Sequence, residues 1–338
     1  MSIDPPFYPD HSRLLVYKDA EGRDHPITTP AQWEKRRQHI LQNMQLVMGP
    51  LPDASRRVPL EMETLEEVSL EDCRRLKVTY ASEPGDRVPA YLFLPNRLAD
   101  KAPAMLCPHP SSPRGKDSPA GVNDYDSPNV HFAIELTRRG YVTLAPDYPN
   151  YGDYRYDPYA NGYVSATMKG IWNHMRAVDL LQSLPQTDPA RIGSIGHSLG
   201  GHNSIYVAVF DDRIKAVISS CGFNAFPKYY GGNLAGWSHN GYMPRIAKVY
   251  DKDPAKMPFD FPDVIAALAP RPFFTNSPVD DANFEVSGVR DCIAAARPVY
   301  ELLGAADKLV AAYPTGGHDF PPETRTTAYA WLDRQFGR

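Results

Sequence analysis

Cysteine is scarce in this chain: four residues, Cys73, Cys107, Cys221 and Cys292, are scattered through 338 positions. They form no C-x-x-C pair and have no metal-ligand spacing, so neither a zinc module nor a redox motif is expected, and no disulfide is required. Cys107 and Cys221 end strand-like runs and read as small buried hydrophobes. Positive charge is not in surplus either. With 36 basic against 40 acidic residues the formal net charge is -4, which offers no basic face to a nucleic acid. No run approaches the ~18 apolar residues of a membrane-spanning helix. The start, Met1-Ser2-Ile3-Asp4-Pro5-Pro6, has neither a basic n-region nor an apolar h-region, so the expected address of the chain as given is cytoplasmic. Internal repeats are absent, and no residue set demands a metal or an organic cofactor.

Against this background one stretch stands out. In Arg191-Ile192-Gly193-Ser194-Ile195-Gly196-His197-Ser198-Leu199-Gly200-Gly201-His202 an apolar run ends in G-x-S-x-G and passes directly into a helix-like sequence. That is the pattern of a nucleophile elbow, a strand-to-helix turn so tight that glycine is needed on both sides of the serine. Five residues with three fixed occur by chance; the strand before and the helix after are what give the match weight. Ser198 is thus the candidate nucleophile.

A serine hydroxyl needs a base, and the base an orienting acid. In elbow-type hydrolases the chain order is Ser, Asp or Glu, then His, which restricts the histidine to His239 or His318. His318 lies on the loop Gly316-Gly317-His318-Asp319 after the strand-like Lys308–Tyr313, where a general base belongs. His239 sits in a Gly/Asn/Trp-rich segment with no strand before it and reads as a pocket or surface residue. The acid should follow the strand-like Arg271–Ser277. Asp280 and Asp281 both do, neighbouring side chains point apart, and spacing alone leaves the two open. The oxyanion donors expected are the amide of Leu199 and, because Pro110 has no N–H, the amide of Ser111 in Pro108-His109-Pro110-Ser111. His109 reads as a brace for that loop.

From about Leu76 onward the chain resembles the α/β-hydrolases, in particular their dienelactone-hydrolase-like and acetyl-xylan-esterase-like branch. The resemblance rests on Gly196-His197-Ser198-Leu199-Gly200-Gly201-His202, Leu268-Ala269-Pro270-Arg271-Pro272, Asp281-Ala282-Asn283-Phe284 and Gly316-Gly317-His318-Asp319-Phe320. It implies Ser198 as nucleophile, His318 as base and Asp281 as acid. The chain departs from dienelactone hydrolases, which use cysteine, and His109-Pro110 replaces the usual H-G pair. Both departures favour ester hydrolysis, with a short acyl group or a sugar ester as the small-molecule substrate. A serine peptidase of the same fold and a non-catalytic ligand receptor are the alternatives.

The expected fold is a mostly parallel twisted sheet with helices on both faces, the sheet opening with antiparallel strands near Arg75–Tyr80 and Val88–Leu94. Residues 61–338 form the hydrolase domain. Residues 1–60 form an arm whose helix starts at Thr29-Pro30 and carries Trp33, Ile40, Met44, Val47 and Met48 on one stripe, to be packed on the core or on a second subunit of a homo-oligomer. Between about 221 and 262 the rhythm breaks into an aromatic, glycine-rich insertion that can roof the site. Phe223, Tyr229, Trp237 and Tyr242 from it, with His109 and with Tyr151 from the tyrosine-rich loop 148–159, are the candidate pocket residues. Asp147 precedes the nucleophile and is not expected to be the acid.

Overall fold

The computed structural model describes residues 5–98, 100–122 and 125–338. The leader reading of residues 1–4 therefore lies outside the described residues.

The arm starts with a hairpin, β1 (Val16–Lys18) against β2 (Asp24–Pro26), and continues into α1 (Pro30–Met48). Thr29 caps α1: its hydroxyl accepts from Gln32 N at 3.3 Å while Gln32 Oε1 accepts from Thr29 N at 3.1 Å, a reciprocal capping box. The stripe Trp33, Ile40, Met44, Val47 and Met48 is buried in the same apolar cluster as β4 to β9 side chains, so the arm packs on its own chain's core.

The main sheet has nine strands: β3 (Glu63–Ser69), β4 (Cys73–Glu83), β5 (Asp86–Pro95), β6 (Ala102–Leu106), β7 (Val142–Pro146), β8 (Thr187–His197), β9 (Ile214–Ser220), β10 (Phe273–Asn276) and β11 (Leu309–Ala312), in the order β11-β10-β9-β8-β6-β7-β5-β4-β3. Along that order the pairs from β11 to β7 are parallel; β5 pairs antiparallel with β7 and with β4, and β4 pairs antiparallel with β3. Side chains alternate between two cores. Ala104 and Leu106 of β6 face one, and Met105 faces the other. Val217 and Ile218 of β9 divide likewise. A sheet buried on both faces needs near-continuous apolar strands, and these are what the sequence supplies.

The helices are α2 (Asp117–Ala120), α3 (Phe132–Arg138), α4 (Ala166–Ser183), α5 (Leu199–Phe210), α6 (Arg245–Lys248), α7 (Phe261–Ala267), α8 (Val286–Leu302) and α9 (Pro322–Gln335). Two features escaped the sequence reading: the β1–β2 hairpin and the edge strand β3. In β3 only Val68 is even half-buried, so neither face carries the apolar alternation by which a strand is recognised. The 221–262 segment consists of short turns and α6. It is tied down by Asp260, which accepts from Phe226 N at 2.9 Å and Phe261 N at 2.6 Å.

Candidate active site

Ser198 stands between β8 and α5 with φ 54° and ψ -117°, a left-handed conformation costly for a residue with a side chain. Its N–H donates to Ser220 O of β9 at 2.8 Å, anchoring the turn to the sheet. The glycines around it are dictated by contact. A Cβ on Gly196 would lie 2.1 Å from Gly200 O, and one on Gly200 would lie 2.1 Å from Pro108 O. The second distance also shows that the 108–112 loop presses against the elbow. As the first residue of α5, Leu199 has an N–H without an intrahelical partner, and the helix dipole adds positive potential at the same place.

His318 and Asp281 meet as adjacent loops after β11 and β10. His318 Nδ1 lies 3.0 and 2.9 Å from the two carboxylate oxygens of Asp281. Asp281 is buried, and burial works to raise its pKa. Its hydrogen bond and charge interaction with His318, and the amides of Phe284 (3.1 Å) and Asn283 (2.8 Å), outweigh this and keep the carboxyl below its ordinary value. Asp280 is exposed and its carboxylate instead accepts from Gly316 N at 3.2 Å. The geometry thus separates the two carboxylates that spacing left open. With Nδ1 carrying the proton shared with Asp281, Nε2 of His318 is the nitrogen left to act on a substrate.

Ser198, His318 and Ser111 line one open cleft of about 260 Å³ with Pro110, Ser112, Pro113, Tyr125, Asp126 and His197. Tyr125, Asp126 and His197 were not singled out from sequence, although His197 occupies the variable position before the serine, where a cleft contact is to be expected. His197 Nδ1 is 3.0 Å from Ser220 Oγ, and its ring centroid is 4.8 Å from that of His318. Burial, then the charge of His318, lowers its pKa to about 3, so it is neutral. Asp126 accepts from Ser112 Oγ at 2.9 Å and from Ser118 Oγ.

His109 is 1% exposed and does not line the cleft. Its Nε2 accepts from Tyr148 N at 2.9 Å and its Nδ1 lies 2.6 Å from Pro110 O, so it ties the 108–112 loop to the tyrosine loop. Burial lowers its pKa, in keeping with a neutral ring. Asp147 serves the same junction: it accepts from Lys116 N (2.7 Å), Lys116 Nζ (3.0 Å) and Asp153 N (2.9 Å). Tyr151 and Tyr242 are half-buried beside the cleft, and Tyr242 OH is 3.3 Å from Ser111 Oγ. Besides His109, three more pocket expectations need correction. Phe223, Tyr229 and Trp237 are buried in an aromatic cluster with Phe226, Phe261 and Phe284 and form no wall of the cleft. Sequence cannot distinguish the two roles, because a packed insertion and a pocket both use large aromatic rings. The cluster still reaches the site, since Phe284 lies 5.9 Å from the His318 ring.

A larger cavity, about 880 Å³, lies elsewhere: His11 of the arm, Lys228 and Asp260 line it, and neither Ser198 nor His318 does. Among the described residues, Cys221, Asp281 and His318 form a group whose donor atoms could converge on a metal ion.

The family described as "Glucuronyl esterase, fungi" matches residues 148–304, a span that holds Ser198 and Asp281 but stops short of His318. YtaP of Bacillus subtilis (strain 168), named only as a hydrolase, is 28% identical over 302 residues, covering 85% of this chain and 96% of its own. The 4-O-methyl-glucuronoyl methylesterase 1 of Sodiomyces alcalophilus is 25% identical over 171 residues, 45% of this chain and 34% of that protein. Among solved structures, a glucuronoyl esterase from Solibacter usitatus superposes with a TM-score of 0.73 at 20% identity, over 100% of this chain and 99% of the other. Sheet order, elbow and these likenesses together show that the chain has the α/β-hydrolase fold.

Proposed function

We propose that this protein hydrolyses a carboxylic ester of a carbohydrate by an acyl-enzyme mechanism, with Ser198 as nucleophile, His318 as general base and acid, and Asp281 as the group that orients it. The carrying observation is the pairing of His318 Nδ1 with the buried Asp281 carboxylate, in a cleft that also holds the strained Ser198. Ser198 Oγ attacks the acyl carbon while His318 Nε2 takes its proton. The negative charge that develops on the carbonyl oxygen is met by the amide of Leu199 and, from the pressed loop, that of Ser111. Collapse of the tetrahedral adduct breaks the ester C–O bond, and His318 returns the proton to the departing alcohol. Water, deprotonated by the same nitrogen, then releases the acid. Asp281 holds the Nδ1–H tautomer and stabilises the imidazolium without taking its proton.

The sugar part of the reading is supported by the glucuronyl-esterase match and by the names of the relatives. An open cleft lined by Ser111, Tyr125 and Asp126, with Tyr242 OH beside Ser111, suits a polar ring that stacks and hydrogen-bonds. The peptidase and receptor alternatives draw no support from these likenesses. The test is a panel comprising p-nitrophenyl acetate to octanoate, acetylated xylo-oligosaccharides and methyl and benzyl esters of glucuronic acid, run with Ser198→Ala. Activity on a sugar ester that vanishes in Ser198→Ala is the expected result. Turnover that survives the substitution, or an enzyme that cleaves only peptides, overturns the reading.

A further inference from the structure

Beneath His318 lies a thiol that ester hydrolysis leaves unused. Cys221 follows β9 with φ 47°. Its Sγ is 3.4 Å from Asp319 O and 3.9 Å from Asn276 Nδ2, contacts that fix it at the foot of the His318 loop. Its sulfur, a carboxylate oxygen of Asp281 and a ring nitrogen of His318 all lie within 4.8 Å of one another. The nitrogen turned toward Asp281 is Nδ1.

One thiolate, one imidazole and one carboxylate make a borderline-soft donor set, the kind that selects Zn²⁺ over Mg²⁺ or Ca²⁺. We propose that Cys221, Asp281 and His318 form an inhibitory site for Zn²⁺ and similar thiophilic divalent cations, a site that competes with the catalytic pairing of His318. Donors around a tetrahedral zinc sit roughly 3.3–3.7 Å apart, given bonds of about 2.0–2.3 Å. The trio therefore needs only a small inward movement. His318 can supply it, because its side chain is 30% exposed on a loop opened by Gly316 and Gly317. Water fills the fourth position.

The thiol loses its proton to solvent as the S–Zn bond forms. His318 gives up the Nδ1 proton that it shared with Asp281, Nδ1 binds the ion, and the imidazole stays neutral by carrying its one proton on Nε2. One proton is released in all, and no oxidant or reductant is involved. With Nε2 protonated and Asp281 engaged by the ion, His318 can no longer accept the Ser198 proton, and turnover stops.

The inhibitory consequence rests on the catalytic reading of His318, so the experiment follows ligation separately from activity. Co²⁺ is titrated into the metal-free wild-type protein, Ser198→Ala, Cys221→Ser and Cys221→Ala, and the thiolate-to-cobalt charge-transfer absorption is recorded in the near ultraviolet. Zn²⁺ inhibition of ester hydrolysis is measured in parallel for the active proteins. The band is expected in wild type and in Ser198→Ala, and is expected to be lost in both Cys221 variants. Each Cys221 variant should need at least about tenfold more Zn²⁺ for half inhibition, since losing even a group that only supports a metal ligand costs roughly 10–100-fold in affinity. A band that persists without Cys221, no band in wild type, or Zn²⁺ inhibition of equal strength in the variants each overturns the proposal. A Cys221-dependent band in a protein without esterase activity would keep the metal site and remove the catalytic reading instead.

Discussion

At the scale of single residues, the two carboxylates side by side in the acid loop make the sharpest test. Asp281 is buried and paired with His318, while Asp280 faces solvent and a backbone amide. Asp281→Asn should lower kcat by roughly 1,000- to 10,000-fold, since the amide favours the wrong histidine tautomer, while leaving the thermal midpoint within a few degrees. Asp280→Asn should leave kcat within about threefold, because surface substitutions usually act weakly. Steady-state kinetics on p-nitrophenyl acetate decides between them. Gly200 is a second such position. Its methyl would meet Pro108 O at 2.1 Å and His109 O at 3.0 Å, both backbone atoms that cannot turn aside. Gly200→Ala should destabilise by at least about 3 kcal/mol, read by urea unfolding, and should displace the oxyanion loop enough to lose activity in whatever fraction still folds. An alanine variant of native stability would show that the loop is not held against the elbow. At this scale Ser198 and His318 were legible because local chemistry marks them: a serine between forced glycines, and a histidine after the last strand. Tyr125 and Asp126 were not, because nothing local tells a cleft-lining side chain from a packed one.

Elements decide how the arm is attached. His11 lies ahead of β1, and both its ring nitrogens meet acceptors, Asp263 Oδ2 at 2.5 Å and Met257 O at 3.1 Å, as an imidazolium requires. Burial opposes that charge, but the Asp263 carboxylate outweighs it and raises the His11 pKa. Arg36 of α1 holds the other oxygen of Asp263 at 2.9 Å. Asp260 completes the cluster; burial raises its pKa to about 7, against the lowering influence of His11. A group whose pKa is higher folded than unfolded stabilises below its unfolded value and loses that stabilisation as pH rises through the folded value. For Asp260 that window runs from 3.8 to about 7, and for His11 it lies above 6.5. Asp263, with a lowered pKa, acts the other way: burial opposes its ionisation, but His11 and Arg36 prevail, and its contribution is lost in acid below 3.8. The thermal midpoint should therefore decline as pH rises through the Asp260 window, from 3.8 to about 7, and on into the His11 range above 6.5, and His11→Asn should flatten the upper part of the decline. Equal slopes in the two proteins would show that the latch carries no pH dependence. The α1 helix was readable from its cap and stripe. The latch was not, since it joins His11 to Asp263 across 252 positions.

For the molecule as a whole, the arm and the hydrolase sheet share one core. Leu14, Ile27, Trp33 and Met44 belong to the same buried cluster as Val78, Leu106 and Ile205. Unfolding in urea should then be a single transition, with Trp fluorescence and far-ultraviolet circular dichroism coincident; an early fluorescence step would mean that the arm detaches first. A second whole-molecule test concerns the buried Lys116–Asp147 pair, which ties the 108–116 segment to the loop after β7. Lys116→Met leaves Asp147 charged, buried and short of a partner, and should cost about 3–5 kcal/mol by urea unfolding. The parallel α/β sheet, the Ser198 elbow and the place of His318 after the last strand can all be read from the order of residues alone. Each of these follows from periodicity, from turn sterics and from the order of elements along the chain. Tertiary structure decided what depends on distant segments meeting: Asp281 over Asp280, the packing of Phe223, Tyr229 and Trp237 away from the cleft, the bracing role of His109, and the thiol beside the histidine. Side-chain direction at a loop and burial under an insertion are set by contacts across hundreds of residues, and no local pattern carries them.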